Sequence, residues 1–199
     1  MTEETPQQPE TKPKAKRKRY GDWALLALAA FLFWVGGKYD YAPQEANHKY
    51  IVATEKLSKP EFKGTVVFVI QHLHRSAAGF ILNRPDKSGD YYDGGPLEKD
   101  RFYLLHSLDT RAPETLVLDD VNLGFIEGKE AIDKFLSGKN APKWHRLFKG
   151  DISWGPRQLE REISDSKWEI VDFDQKLFDN PDNKIWDKAK RLPLIKRTY

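Results

Sequence analysis

The sequence predicts a sheet-centred fold with a few short helices, on three observations. Residues 49–85 hold three apolar runs, at 50–53, 66–70 and 80–82, each rich in β-branched or aromatic residues and bounded by Gly, Pro, Ser or Lys. Runs of this length and composition read as strands buried on both faces rather than as helices. Further runs of the same kind follow at 102–106, 114–118, 146–153 and 168–171. Helical periodicity is confined to three short segments. In 127–136, Ile132, Phe135 and Leu136 share a face and Gly138 supplies the stop. From Trp154 onward, Pro156 suits a first helical position and Leu159 with Ile163 give the buried stripe. The third segment, 185–192, is short and amphipathic.

Composition sets the outer bounds. A chain of 199 residues that is 39% hydrophobic and 13% aromatic has material for a real core. Its net charge of +3 has to be located before it is interpreted: residues 1–37 hold six Lys/Arg against four Asp/Glu, and the remaining 162 hold 27 against 26. A domain this near to neutrality, with no helix-turn-helix pattern, lacks the basic footprint of a nucleic-acid binder. The absence of cysteine removes disulfides, thiol catalysis and cysteine-ligated metal.

Four regions follow from the composition. Residues 1–19 form a polar tail, read as disordered, ending in the basic cluster Lys16-Arg17-Lys18-Arg19. Residues 20–39 read as one transmembrane helix. Tyr20 and Trp23 stand at one end, and Trp34, Tyr39 and Tyr41 at the other. The 19 steps from Tyr20 to Tyr39, at ~1.5 Å each, nearly match a bilayer's hydrocarbon thickness. A cleaved signal peptide, with Val35-Gly36-Gly37 as its small-residue site, and a buried core helix are the rival readings. The basic residues lie before the segment, so the positive-inside rule puts the tail in the cytoplasm and the following domain in the periplasm. Residues 40–48 are a linker, and 49–199 the domain.

Within the domain, several residues invite chemical readings. His72 and His74 would share a strand face, yet no third His or carboxylate stands at ligand spacing, so a polar strand end is preferred to a metal pair. No metal or cofactor is expected. Asn83-Arg84-Pro85 stops a strand, because proline restricts Arg84 and cannot donate to a ladder. Gly94-Gly95-Pro96 forms a tight corner but lacks the Lys-Ser/Thr and helix of a phosphate loop.

Four blocks resemble the AlgH/YqgE family of small bacterial proteins. They are YIVATEKLSKPEFKGT at 50–65; His72 with GFILNRP at 79–85; Gly94-Gly95-Pro96 followed by Arg101 and Leu104-Leu105-His106; and Trp154-Gly155-Pro156 with Gln158-Leu159-Glu160, Glu162-Ile163 and Trp168. The resemblance spans about 49–190 and implies an α+β domain: a mixed, partly barrel-like sheet surrounded by helices. Departures stand beside it. Glu55 replaces a usual Pro, and Arg157 a usual Gly. Only eight residues separate Pro85 from Gly94, where family members place a helix. Family members are also generally soluble and lack the segment 20–37.

The expected function is a membrane-anchored binding or regulatory module for a protein partner or a small anionic ligand. Its candidate residues are Asn83, Arg84, Gly94, Gly95, Pro96, His106, Trp154, Pro156 and Gln158. Turn glycines expose backbone N–H groups, and Arg84 offers a planar charged fork to an anion. Transcriptional regulation, the family's label, is the alternative. A hydrolase using His72 or His106 as base and Ser76, Ser107 or Ser153 as nucleophile is the second. It lacks a nucleophile-elbow pattern, and no enzymatic activity is expected.

Overall fold

A computed structural model describes residues 44–195; the tail and the membrane helix expected at 1–39 lie outside the described residues. Nine strands build one sheet: β1 (Tyr50–Ala53), β2 (Val66–Leu73), β3 (Ser76–Ile81), β4 (Tyr92–Asp93), β5 (Leu97–Ser107), β6 (Leu116–Leu118), β7 (Leu123–Glu127), β8 (His145–Trp154) and β9 (Trp168–Val171). The helices are α1 (Lys129–Leu136), α2 (Gln158–Ser164) and α3 (Asp182–Ala189), with 3-10 turns at Pro60–Phe62 and Gln175–Asp179. Neighbours in the order β6-β7-β5-β8-β3-β2-β1-β9 run antiparallel, and β4 joins β8 in parallel. The mixed sheet curls into a half-barrel, so the α+β architecture is the expected one.

The apolar runs at 50–53 in β1 and 66–69 in β2 are buried on both faces, as their unbroken patterns require. Tyr50, Val52, Val66 and Phe68 enter one core with Phe80, Tyr103 and Phe148. Their sequence neighbours Ile51, Ala53, Val67 and Val69 enter a second, with Ile152, Trp154 and Trp168. A third, smaller cluster holds α1 to the sheet through Leu104, Ile126, Ile132 and Phe135. β8 links the two halves: His145 through Lys149 pair with β5, whereas Ile152 through Trp154 pair with β3. Between them Gly150 takes φ 72°, a left-handed turn in which glycine pays no Cβ penalty.

Arg146, on the same strand, is buried with its guanidinium 4.2 Å from the Tyr92 ring and 5.1 Å from that of Phe178. It donates to the carbonyls of Leu82 at 2.9 Å and Phe178 at 3.3 Å. This cation is a fastener of the core: it ties β4 and the 3-10 turn Gln175–Asp179 to the sheet.

Several element boundaries differ from the sequence reading. β7 occupies 123–127, where the pattern placed only a helix start, because Gly124 weakens the strand signal. The glycine is there for space: a Cβ would sit 2.3 Å from the His106 ring. The helix expected from Pro156 begins at Gln158, since Arg157 before it adopts φ 55° and cannot continue a right-handed helix. That left-handed turn accounts for the glycine usual in the family at this position. The last helix is 182–189 rather than 185–192; Pro181 starts it, and Leu194 instead bridges to Val171. Between Pro85 and β4 runs a tight loop, held by the Asp86 carboxylate, which accepts from the Ser88 and Tyr91 amides at 3.0 and 3.3 Å. Among the described residues no helix is long and apolar enough to cross a membrane.

Candidate functional site

The corner at residues 94–96 is pressed onto β8. The Gly94 amide donates to the Lys149 carbonyl at 2.9 Å, and the Gly94 carbonyl accepts from the Ile81 amide at 2.9 Å. A Cβ on Gly94 would stand 2.3 Å from the Gly150 oxygen, and one on Gly95 2.2 Å from the Asp151 carbonyl. Only glycine permits this approach. The two glycines are thus packed on the β8 backbone, and the residues on either side of them reach different depressions. Asp93 and Lys99 face one depression, and Pro96 with Leu97 face another.

The first depression is an open groove of about 580 Å³ lined by Arg84, Pro85, Asp86, Lys87, Tyr91, Asp93, Lys99 and Lys149. Arg84 donates to the Glu61 carbonyl. Burial lowers its pKa while the charges of Asp93 and Glu61 oppose that shift, and an arginine so placed stays protonated. Lys99 pairs with Asp93. Lys149 lies 5.6 Å from the Tyr91 ring centre and 5.5 Å from that of Phe102. Asp86 is committed to its own loop, where hydrogen bonds led by the Ser88 amide lower its pKa. Four cations therefore surround the groove against two carboxylates.

The second depression, about 190 Å³, is lined by Leu57, Lys59, Phe62, Pro96, Trp154, Gln158, Glu162 and Trp168, among others. Its organiser is Glu162. One carboxylate oxygen accepts the indole N–H groups of Trp154 and Trp168, each at 2.9 Å, and the other accepts from the Gln158 amide at 3.0 Å. Burial pushes the Glu162 pKa up, but hydrogen bonds from Gln158, Trp168 and Trp154 and the charge of Lys59 outweigh it and leave the pKa lowered. Trp154 and Trp168 meet edge to face with centroids 6.1 Å apart. This cleft presents an anion.

A family model described as AlgH-like (DUF179) matches residues 50–196, three quarters of the chain. The chain belongs to the AlgH-like family. A UPF0301 protein of Marinomonas sp. is 30% identical over 174 residues, covering 76% of this chain and 90% of the relative. One of Caulobacter vibrioides is 28% identical over 162 residues, covering 71% and 83%. The solution structure of the AlgH protein from Pseudomonas aeruginosa superposes with a TM-score of 0.63 at 26% identity, over 75% of this chain and 90% of that one. A Corynebacterium diphtheriae protein shares the fold, with a TM-score of 0.61 at 20% identity over 75% and 88%.

In this AlgH-like domain the nine expected site residues do not converge. Arg84 lines the cationic groove; Pro96, Trp154 and Gln158 line the anionic cleft; Gly94 and Gly95 line neither and pack on β8. Asn83 is a brace: its side chain accepts from the Val66 amide at 3.1 Å and donates to the Gly64 carbonyl at 2.8 Å. Pro156 is exposed, and its carbonyl accepts from Arg161 at 3.3 Å. His106 is fully buried and lines neither depression. Its ring nitrogens meet the Ser107 carbonyl at 2.8 Å and the Thr115 hydroxyl at 3.3 Å, and burial lowers its pKa. Trp154 and Gln158 both already donate to a carboxylate, that of Glu162.

His72, also buried, accepts the Ala46 amide on Nδ1 at 3.2 Å, which leaves the proton on Nε2, 3.5 Å from Glu160. No group of three or more potential metal ligands occurs among the described residues. Sequence reasoning passed over Glu162 although it stands in a recognised block. The four-residue step from Gln158 was legible, but the approach of two tryptophans from β8 and β9 was not. For Lys99 and Lys149 no sequence signal existed.

Proposed function

We propose that the protein is a binding module, without catalytic activity of its own, that takes a small anionic ligand in the groove beside Arg84. The observation that carries this reading is the convergence of Arg84, Lys87, Lys99 and Lys149 on one depression of about 580 Å³. That volume lies in the range of small-ligand sites. Arg84 supplies a fork with directional donors, the lysines supply compact charge, and Tyr91 supplies a ring face. The hydrolase alternative has weaker support. The Ser107 hydroxyl is engaged with Asp109 and the Trp144 carbonyl, and His72 faces Glu160 rather than a serine. Direct transcriptional regulation rests on the family label and sits poorly with 27 basic against 26 acidic residues after position 37.

Calorimetry with pyrophosphate and with citrate tests the reading and separates phosphate from carboxylate ligands. Arg84→Ala should weaken the bound anion by about 10- to 100-fold, the worth of charge-assisted hydrogen bonds. Its melting temperature should barely move, since Arg84 is tied to the domain by a bond to one carbonyl. Absence of saturable binding to the wild type overturns the reading. So does a loss of about 3–5 kcal/mol in Arg84→Ala, the signature of a broken buried pair.

We further infer from residues 20–39 alone that the chain carries a retained membrane helix with its domain across the membrane, the rival being a cytoplasmic domain. The support is the paired aromatic ends and the one-sided basic cluster. Protease added to spheroplasts should digest the domain; protection there, with digestion only in inverted vesicles, selects the rival. Release by carbonate excludes the anchor.

A further inference from the structure

The structure assigns the cleft around Glu162 a second role, independent of the anion groove: we propose that it binds the headgroup of a small organic cation, a protonated amine, guanidinium or quaternary ammonium. Glu162 receives three neutral N–H donors, yet among the described residues no Lys, Arg or His forms an ion pair with it. A half-buried carboxylate with no ion-pair partner in contact leaves room for a cation. The walls suit one: Phe62, Trp154 and Trp168 line the cleft, and aromatic faces attract ammonium and guanidinium groups.

The chain itself shows the attraction. Lys59 lines the cleft, its ammonium 5.8 Å from the centre of the Phe62 ring, and its charge acts on Glu162. Being exposed on a flexible stem, Lys59 is displaceable. The volume of about 190 Å³ admits a headgroup and a few carbons. It falls below the size of sites for larger ligands.

The two indole N–H groups that grip Glu162 give a direct readout. In 15N-labelled full-length protein, butylammonium, butylguanidinium and tetramethylammonium should shift the Trp154 and Trp168 indole resonances saturably. Butanol, and sodium chloride at matched ionic strength, should not. Lys59→Ala should bind roughly two- to fivefold tighter, the factor for removing a competing exposed cation–π contact. Glu162→Gln, which keeps an oxygen for the indoles, should lose saturable binding. If that variant fails to fold, Phe62→Leu keeps the carboxylate, removes one aromatic wall, and should weaken tetramethylammonium more than butylammonium. Equal shifts with sodium chloride, binding that survives in Glu162→Gln, an unchanged preference in Phe62→Leu, or no saturable shift in both wild type and Lys59→Ala each overturns the assignment.

Discussion

On one side of the 94–96 corner, Arg84, Lys87, Lys99 and Lys149 surround an open groove; on the other, Trp154, Trp168 and Gln158 close on Glu162. The two depressions are lined by residues that flank the same corner, Asp93 for one and Pro96 for the other, and they differ in sign. They differ in construction as well. The cations of the groove stand on exposed or half-buried stems around a loop, whereas the carboxylate of the cleft is fixed by three hydrogen bonds from two elements of the sheet and helix α2. The lesson is that a family signature can be contiguous in space without being one site. Its glycines bring Asp93 and Pro96 to opposite faces of the same backbone.

The largest expected effect comes from the 94–96 corner itself. Gly95→Ala would place a methyl group 2.2 Å from the Asp151 carbonyl, so the 94–96 segment must lift off β8. Overpacking of this kind costs about 1–3 kcal/mol, visible as a lower urea midpoint. Anion and cation binding should weaken together. A variant that loses one and keeps the other would show that the corner does not position both depressions.

Acid separates the two sides next. On the cleft side the group that responds is Glu162. Its folded pKa lies below the ordinary 4.5, so the stability it contributes is complete above 4.5 and is lost as pH falls through the lower folded value. An earlier loss comes from His72, His106 and His145, all lowered from 6.5 chiefly by burial. Their depressed values mean that the unfolded chain takes up protons first, so stability falls as pH drops below 6.5. For His72 the groups facing it are Glu160 and Glu45, whose charges moderate the shift without reversing it. Urea unfolding across pH 3–8 should show both losses, and Glu162→Gln should remove only the second. A midpoint unchanged between pH 7 and 5 would contradict the histidine assignment.

The smallest effect concerns how the cleft's helix begins. Arg157 holds φ 55° just before α2 and shares a hydrogen bond of 3.1 Å with His74. Arg157→Gly should stabilise the domain by about 0.5–1 kcal/mol, the relief of a left-handed residue offset by unfolded-state entropy. Cation binding should be unchanged, since Glu162 is held from α2 and the sheet. A loss of stability would mean that the contact to His74 outweighs the strain.

Much of this protein was legible from its residues. Unbroken β-branched and aromatic runs at 50–53 and 66–70 can be satisfied only by burial on both faces, and both faces are core. Period and composition are local properties, so β9 appeared in sequence with its true bounds, and β8 within a residue. The two glycines and the proline at 94–96 announced a corner because backbone freedom is also local. Tertiary structure decided what no local property carries. It chose which side of the corner each signature residue faces, took Asn83 and His106 into the scaffold, and drew Lys99 and Lys149 to Arg84 across distant strands. Above all it set two tryptophans, from strands that do not pair, on one carboxylate. Charge at a site is a sum over residues far apart in the chain, and only the folded backbone performs that sum.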